Sequence, residues 1–94
     1  MADIRRATAR RETRPMRYFF QLSDGHVLTD DEGEVFDDLD AAKVEAARIA
    51  GEWLRDNADE FAQEGTLLVE VLDDRRAVLA TVAVEASAPT GTVH

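Results

Sequence analysis

The residues of this chain that could do acid–base or metal chemistry begin with its two histidines, His26 and His94. They lie too far apart in the sequence to suggest a metal-binding pair, and the chain has no cysteine to supply a thiolate ligand. The sequence shows no nucleophile–base pair of the kind that hydrolases use. His26 follows Asp24-Gly25, a strong hairpin-turn signal, and is interpreted as a solvated turn residue. The sequence therefore predicts no enzyme, no metal site and no cofactor.

An acidic run from Asp30 to Asp38 surrounds Gly33 and raises the possibility of a calcium-binding loop. The spacing argues against this hypothesis. With Gly33 at the sixth loop position, Leu28 and Leu39 occupy the first and twelfth positions, where a calcium loop requires carboxylates. The run is therefore interpreted as a polar turn followed by the cap of a helix.

Three consecutive aromatic residues, Tyr18, Phe19 and Phe20, could stack on bases as the aromatic residues of RNA-binding sheets do. Such sheets have basic surroundings, whereas this chain has a net charge of −9. The charge is also divided, because residues 1–16 carry +3 and the remainder therefore carries −12. A body this acidic repels phosphate backbones, so nucleic-acid binding by the folded part is not expected.

Length and composition indicate one small globular domain. The chain has 94 residues, of which 45% are hydrophobic and 33% charged. No apolar run approaches the ~18 residues of a membrane-spanning helix, and none follows the basic N-terminus as a secretory signal would. Together with the absence of cysteine, these features predict a soluble, cytoplasmic protein without a membrane partner.

The stretch from Asp38 to about Glu64 has the apolar periodicity of one long amphipathic helix. Asp38 or Asp40 could cap its first turn, and Gly65 could end it in a left-handed conformation. A helix of ~25 residues is ~37 Å long, whereas the strands reach only ~25 Å. It must therefore overhang the sheet, bend or break near Asp56-Asn57, and a continuous helix that frays after Asn57 is the preferred interpretation. Its apolar stripe is composed of Leu39, Ala42, Ala46, Ile49, Ala50, Trp53, Leu54, Ala58 and Phe61.

The segments on both sides of the helix alternate as strands do, with turn signals between them. Two hairpins and one helix then give an α+β fold: a two-layer ββαββ module with a four-stranded antiparallel sheet and the helix on one face. We predict a disordered basic arm over residues 1–15, the domain over residues 16–85 and a flexible tail over residues 86–94. The predicted strands are Met16–Ser23, His26–Thr29, Thr66–Leu72 and Ala77–Glu85, with Val35-Phe36 as a brief extension of the first hairpin.

The face of the sheet turned away from the helix is not purely polar. The alternation assigns Phe19, Leu68, Leu72 and Leu79 to it. Because one helix can cover only one face, these residues would be exposed to solvent in a single copy, and contiguous apolar patches usually mark contacts. They are the predicted interface residues of a homodimer, unless the tail after Ala86 covers them.

Four short motifs follow one another along the chain: Arg17-Tyr18-Phe19-Phe20, Asp24-Gly25, Asp31-Glu32-Gly33 and Leu39-Asp40-Ala41-Ala42. In this order they resemble a family of short bacterial proteins classed as a domain of unknown function. The likeness covers about Met16 to Glu85 and implies the same fold, but it implies no activity and no site residues. Family members usually begin at the position of Met16, so residues 1–15 are expected to be an extension or the result of an upstream start. The family also tends to carry a glycine where this chain turns through Asp74-Arg75-Arg76.

Two functional hypotheses follow from these features. The leading one is a small non-enzymatic protein-interaction module that dimerises through the open sheet face. The alternative is an antitoxin-like regulator, in which the acidic body masks a basic protein and the basic arm touches DNA.

Overall fold

An antiparallel five-stranded sheet forms one layer of the domain, and two helices form the other. The computed structural model describes residues 15–88. The predicted arm, apart from Pro15, and the last six residues of the predicted tail lie outside the described residues. In chain order the elements are β1 (Met16–Ser23), β2 (Val27–Thr29), β3 (Glu34–Phe36), α1 (Leu39–Asp56), α2 (Ala58–Glu64), β4 (Thr66–Leu72) and β5 (Val78–Glu85).

The predicted two-layer α+β fold is confirmed, with strands in the order β2-β1-β4-β5 and β3 also paired to β1. The fifth strand arises because the return strand of the first hairpin is split in two. Gln21 pairs with Thr29 and Tyr18 with Glu34. Between those pairs β1 has two residues, whereas the return strand has four, residues 30–33. The return strand thus has two residues more than β1 can pair, so this segment forms a loop between β2 and β3.

The Asp30 side chain folds this loop, which we call the hairpin insert (residues 30–33). Its carboxylate accepts hydrogen bonds from the backbone N–H groups of Glu32 and Gly33 at 3.0 and 3.1 Å. Gly33 has a φ of 70°, the left-handed region that favours glycine. Arg17 adds a hydrogen bond from Nη1 to the Glu32 carbonyl oxygen at 2.9 Å. The acidic run therefore works as a structured turn.

Asp38 is the residue that caps α1, since its Oδ1 accepts a hydrogen bond from the Ala41 N–H at 2.9 Å. The prediction of one continuous helix is wrong, because the helix breaks at Asn57, whose φ and ψ are −132° and 36°. The backbone N–H and the side-chain Nδ2 of Asn57 both donate to the Trp53 carbonyl oxygen at 2.9 Å, which closes the last turn. Gly65 ends α2 in the predicted left-handed conformation, at a φ of 86°.

The break divides the predicted long helix into α1, of 18 residues, and the shorter α2, which contacts β4. Within residues 15–88, neither helix is both long and apolar enough to cross a membrane.

Alanines form the centre of the helix–sheet contact. Ala42 and Ala46 are fully buried and Ala50 is 3% exposed. Alanine carries only a methyl group, so α1 packs close to the sheet, and the larger members of its stripe lie at the margins. Trp53 and Ile49 are half-buried there and pack against the core from its edge. The sheet contributes the buried residues Tyr18, Phe20, Leu22, Leu67, Val69 and Val71.

β3 adds an aromatic contact to this core. The ring of Phe36 meets Phe20 edge-on, with centroids 5.9 Å apart and an interplanar angle of 89°. The Tyr18 ring lies 6.1 Å from Phe36. Burial raises the pKa of the Tyr18 phenol above its ordinary value, and the negative charge of Asp38 adds to the rise.

The alanine contact gives a first test of the helix packing. We expect Ala46→Leu to lower the free energy of unfolding by about 1–3 kcal/mol, because extra methylene groups would push α1 away from the sheet. Val44 is 58% exposed on the same helix. Val44→Leu should therefore change the free energy by no more than about 0.5 kcal/mol in the same chemical denaturation measurement. Equal losses for the two variants would contradict the packing described.

Gly33 gives a second test, with Gly51 as its control. A Cβ atom at Gly33 would lie 2.7 Å from the Tyr18 carbonyl oxygen and 2.9 Å from the Phe19 ring. We expect Gly33→Ala to destabilise the domain by about 1–3 kcal/mol through strain at a positive φ and this close approach. Gly51 lies in α1 with no atom within 4 Å of its Cβ position. Gly51→Ala should stabilise by about 0.5–1 kcal/mol, and a neutral Gly33→Ala would refute the geometry of the insert.

Candidate functional site

The structure places the four predicted interface residues on β1, β4 and β5, on strands whose other face α1 covers. We call this side of the sheet the open face. Phe19 of β1 pairs with Leu72 of β4, while Leu68 pairs with Ser23 at the other end of the same ladder. Phe19 and Leu68 are half-buried, Leu79 is 39% exposed and Leu72 is 3% exposed. Three of the four therefore offer accessible apolar surface, and Leu72 lies beneath it.

A polar pair separates the two ends of the open face. Gln21 lies opposite Glu70 in the β1–β4 ladder, and its Nε2 donates to the Glu70 Oε1 at 3.1 Å. Both side chains are partly buried. Because the pair satisfies one donor and one acceptor within the chain, it can lie in a contact surface without leaving these two atoms unpaired.

A β-bulge at the start of β5 adds a residue that the alternation missed. Val71 pairs with Ala80 but Leu72 pairs with Val78, so Leu79 is the extra residue. Strict alternation assigns Val78 to the helix side of the sheet. It is instead 52% exposed and lies outside the buried core. The bulge thus presents two exposed apolar residues side by side at the edge of the sheet.

Arg76, in the turn between β4 and β5, covers one end of the open face. Its guanidinium carbon lies 4.6 Å from the centroid of the Phe19 ring, a cation–π contact. Its Nη1 donates to the Asp30 carbonyl oxygen at 3.2 Å, and its Nη2 lies 3.7 Å from an Asp31 carboxylate oxygen. Arg76 itself has a φ of 68°, a conformation that favours glycine. This conformation accounts for the glycine expected at this turn from the family resemblance.

An open groove lies on the helix side of the sheet, beside α1. Because α1 packs mainly on β4 and β5, the part of the sheet formed by β1 and β2 is left partly uncovered. The groove has a volume of about 430 Å³. Its lining combines apolar residues, which we call its floor, with carboxylates, which we call its rim. The floor residues are Phe20, Leu22, Leu28, Ile49 and Val69, and the rim residues are Asp30, Glu34 and Glu45.

The β1–β2 turn forms a third feature. His26 is exposed, with 79% of its side chain accessible, as expected for a turn residue. Asp24 beside it is only 5% exposed, which the hairpin signal did not indicate. Its Oδ1 accepts the His26 N–H at 3.1 Å. Glu60 of α2 lies against the same turn, and its carboxylate is near enough to the Asp24 and His26 side chains for all three to contact one metal ion. Glu60 lies 34 residues after His26 in the chain, so no local signal could have revealed the cluster.

Comparison with known proteins gives one positive result. No curated protein and no solved structure matches the chain. Residues 17–85 match the family model DUF6894, described as a domain of unknown function. The match covers nearly all of the described domain, from β1 to the end of β5, and it confirms the resemblance to a family of unknown function. The chain therefore belongs to the DUF6894 family.

Proposed function

We propose that this chain is a small non-enzymatic protein-interaction module that forms a homodimer through its open face. One observation carries the proposal: among residues 15–88 both helices cover a single face of the sheet, while Phe19, Leu68 and Leu79 leave apolar surface accessible on the other. An apolar patch of this kind on a small domain is typical of a contact surface.

The exposed residues of the open face suit a modest interface. Burying a fully exposed side chain of this type is worth about 1.5–3 kcal/mol, and Phe19 and Leu68 are already half-buried. Association costs at least ~4 kcal/mol of translational and rotational freedom. Counted over both copies, these terms leave at most about 8 kcal/mol, which corresponds to a dissociation constant of about a micromolar or weaker. The Gln21–Glu70 pair and the Arg76 guanidinium supply polar groups around the apolar residues.

β5 suits the centre of a two-fold contact. Its inner edge pairs with β4, and no strand within residues 15–88 pairs with its outer edge. A two-fold axis near this edge would bring Val78 and Leu79 of one copy against the same residues of the other, which is the self-complementary arrangement of C2 dimers. The free backbone groups of the edge could add ladder hydrogen bonds. The acidic surface elsewhere, with −12 over residues 17–94, would keep larger assemblies apart.

The test is the effect of a charge on the open face. We expect sedimentation equilibrium to show a dimer at ~100 µM that dissociates on dilution. Leu79→Asp should shift the protein to monomer while the far-ultraviolet circular dichroism stays unchanged, because the carboxylate would have to be buried in the contact. Leu68→Asp should act in the same direction.

Val44→Asp is the matched control, because Val44 is an exposed apolar residue on α1, on the opposite side of the domain. It should leave the dimer intact. A monomer at ~100 µM for the unmodified chain would overturn the proposal, as would equal dissociation by the Leu79 and Val44 variants.

The second candidate function, an antitoxin-like regulator that masks a basic protein, draws support from the groove beside α1. Its apolar floor and its rim carboxylates, Asp30, Glu34 and Glu45, match a cationic amphipathic segment. The partner to test is a small basic protein encoded next to the gene for this chain. Such a complex should weaken steeply with salt and with Leu28→Lys, which changes the groove floor. Val27→Lys, at the neighbouring exposed position, should have the smaller effect.

A further inference from the structure

Three side chains of metal-ligating type converge where the β1–β2 turn packs against α2. Asp24 and Glu60 each offer a carboxylate oxygen, and His26 offers a ring nitrogen. These three ligand atoms all lie within 4.8 Å of one another. A single ion between them could reach all three after small side-chain rotations, because zinc–nitrogen and zinc–oxygen bonds are ~2.0–2.2 Å long.

Asp24 is the buried member of this cluster. Its side chain is only 6% exposed, and its single ion-pair contact within residues 15–88 is His26 Nδ1 at 3.9 Å. No lysine or arginine of the described residues lies within ion-pair distance of it. The Asp24 Oδ1 accepts a hydrogen bond from the His26 backbone N–H at 3.1 Å. A cation held together with His26 and Glu60 would add an opposite charge beside this carboxylate.

Glu64 concentrates further negative charge at this corner. A Cβ atom built on Gly25 would lie 2.7 Å from the Glu64 Oε1, so this carboxylate rests directly on the β1–β2 turn. Glu60 and Glu64 are four residues apart on α2, a spacing at which like charges repel. Together with Asp24 they bring three carboxylates to one turn. A bound divalent cation would convert this repulsion into attraction.

The donor set distinguishes between classes of ion. One imidazole nitrogen with two carboxylate oxygens is typical of zinc and related transition metals, and it leaves a fourth position for water or for the Glu64 carboxylate. Calcium and magnesium prefer oxygen ligands alone, in larger number or in strict octahedral geometry.

We propose that Asp24, His26 and Glu60 form a surface site for a divalent transition-metal ion, with Zn²⁺ as the ion to test. The site joins the first hairpin to α2, two segments that are distant in sequence. Bound metal therefore stabilises the docking of α2 against the β1–β2 turn. The exposure of His26 and Glu60 makes the site solvent-accessible and exchangeable.

The experiment measures Zn²⁺ binding to the metal-free full chain by isothermal titration calorimetry, together with the shift of its melting temperature. We expect saturable binding of one Zn²⁺ per chain and a higher melting temperature on binding. His26→Gln and Glu60→Gln should each weaken Zn²⁺ binding at least ~10-fold. Removing a residue that only hydrogen-bonds to a metal ligand already lowers metal affinity about 10-fold or more, and removing the ligand itself should lower it at least as much. Both residues are exposed, so the variants should fold without metal as the unmodified chain does.

Two control variants separate the proposed site from other binding. Asp59→Asn removes an exposed carboxylate from the same helix, one position from Glu60, and should leave the affinity unchanged. His94→Gln removes the other histidine of the chain and should also leave it unchanged. The nuclear magnetic resonance signals of the His26 ring should shift with added Zn²⁺.

Several outcomes would overturn the proposal. These are the absence of saturable Zn²⁺ binding, equal weakening by Asp59→Asn and Glu60→Gln, and loss of binding in His94→Gln with His26→Gln unaffected. Mg²⁺ binding as tight as Zn²⁺ binding and insensitive to His26→Gln would also overturn it, because that result would identify non-specific attraction of cations to carboxylates.

Discussion

The close packing of the α1 alanines on the sheet is the constraint from which the other surfaces of this domain follow. Ala42, Ala46 and Ala50 bring the helix down on β4 and β5, where the contact is most extensive. A single helix seated there cannot also cover the β1–β2 side, so a groove remains beside it. It also cannot reach the opposite side of the sheet, so the open face depends on other groups for cover.

Arg76 provides part of that cover. Its guanidinium stacks on Phe19 and hydrogen-bonds to the hairpin insert at Asp30, so it ties the second hairpin to the first. The contact reduces the exposed aromatic surface at the end of the open face where the β4–β5 turn lies, while Val78 and Leu79, which follow this turn at the edge of the sheet, stay exposed. Any contact made by this face is therefore expected to lie toward the β5 edge.

Much of the fold could be predicted from local patterns. Alternation placed β1 and β4 at Met16–Ser23 and Thr66–Leu72, as observed, because strand faces repeat every two residues. Asp38 and Gly65 marked helix ends through side-chain capping and a left-handed backbone. The helix break at Asn57 cannot be seen in the apolar periodicity, because it involves the hydrogen bond that the Asn57 side chain donates to the Trp53 carbonyl oxygen. The periodicity alone therefore predicts one continuous helix.

The sequence by itself determined the layers, the residues on each face of β1 and β4 and the acidic character of the body, because periodicity and charge are properties of neighbouring residues. Only the tertiary structure decided four features: the two extra residues of the hairpin insert, the bulge at Leu79, the cation–π contact of Arg76 with Phe19 and the proximity of Asp24 to Glu60. Each of these depends on how separate segments pair or pack against one another. That arrangement is set by the summed packing of whole strands and helices, so alternation within one segment does not reveal it.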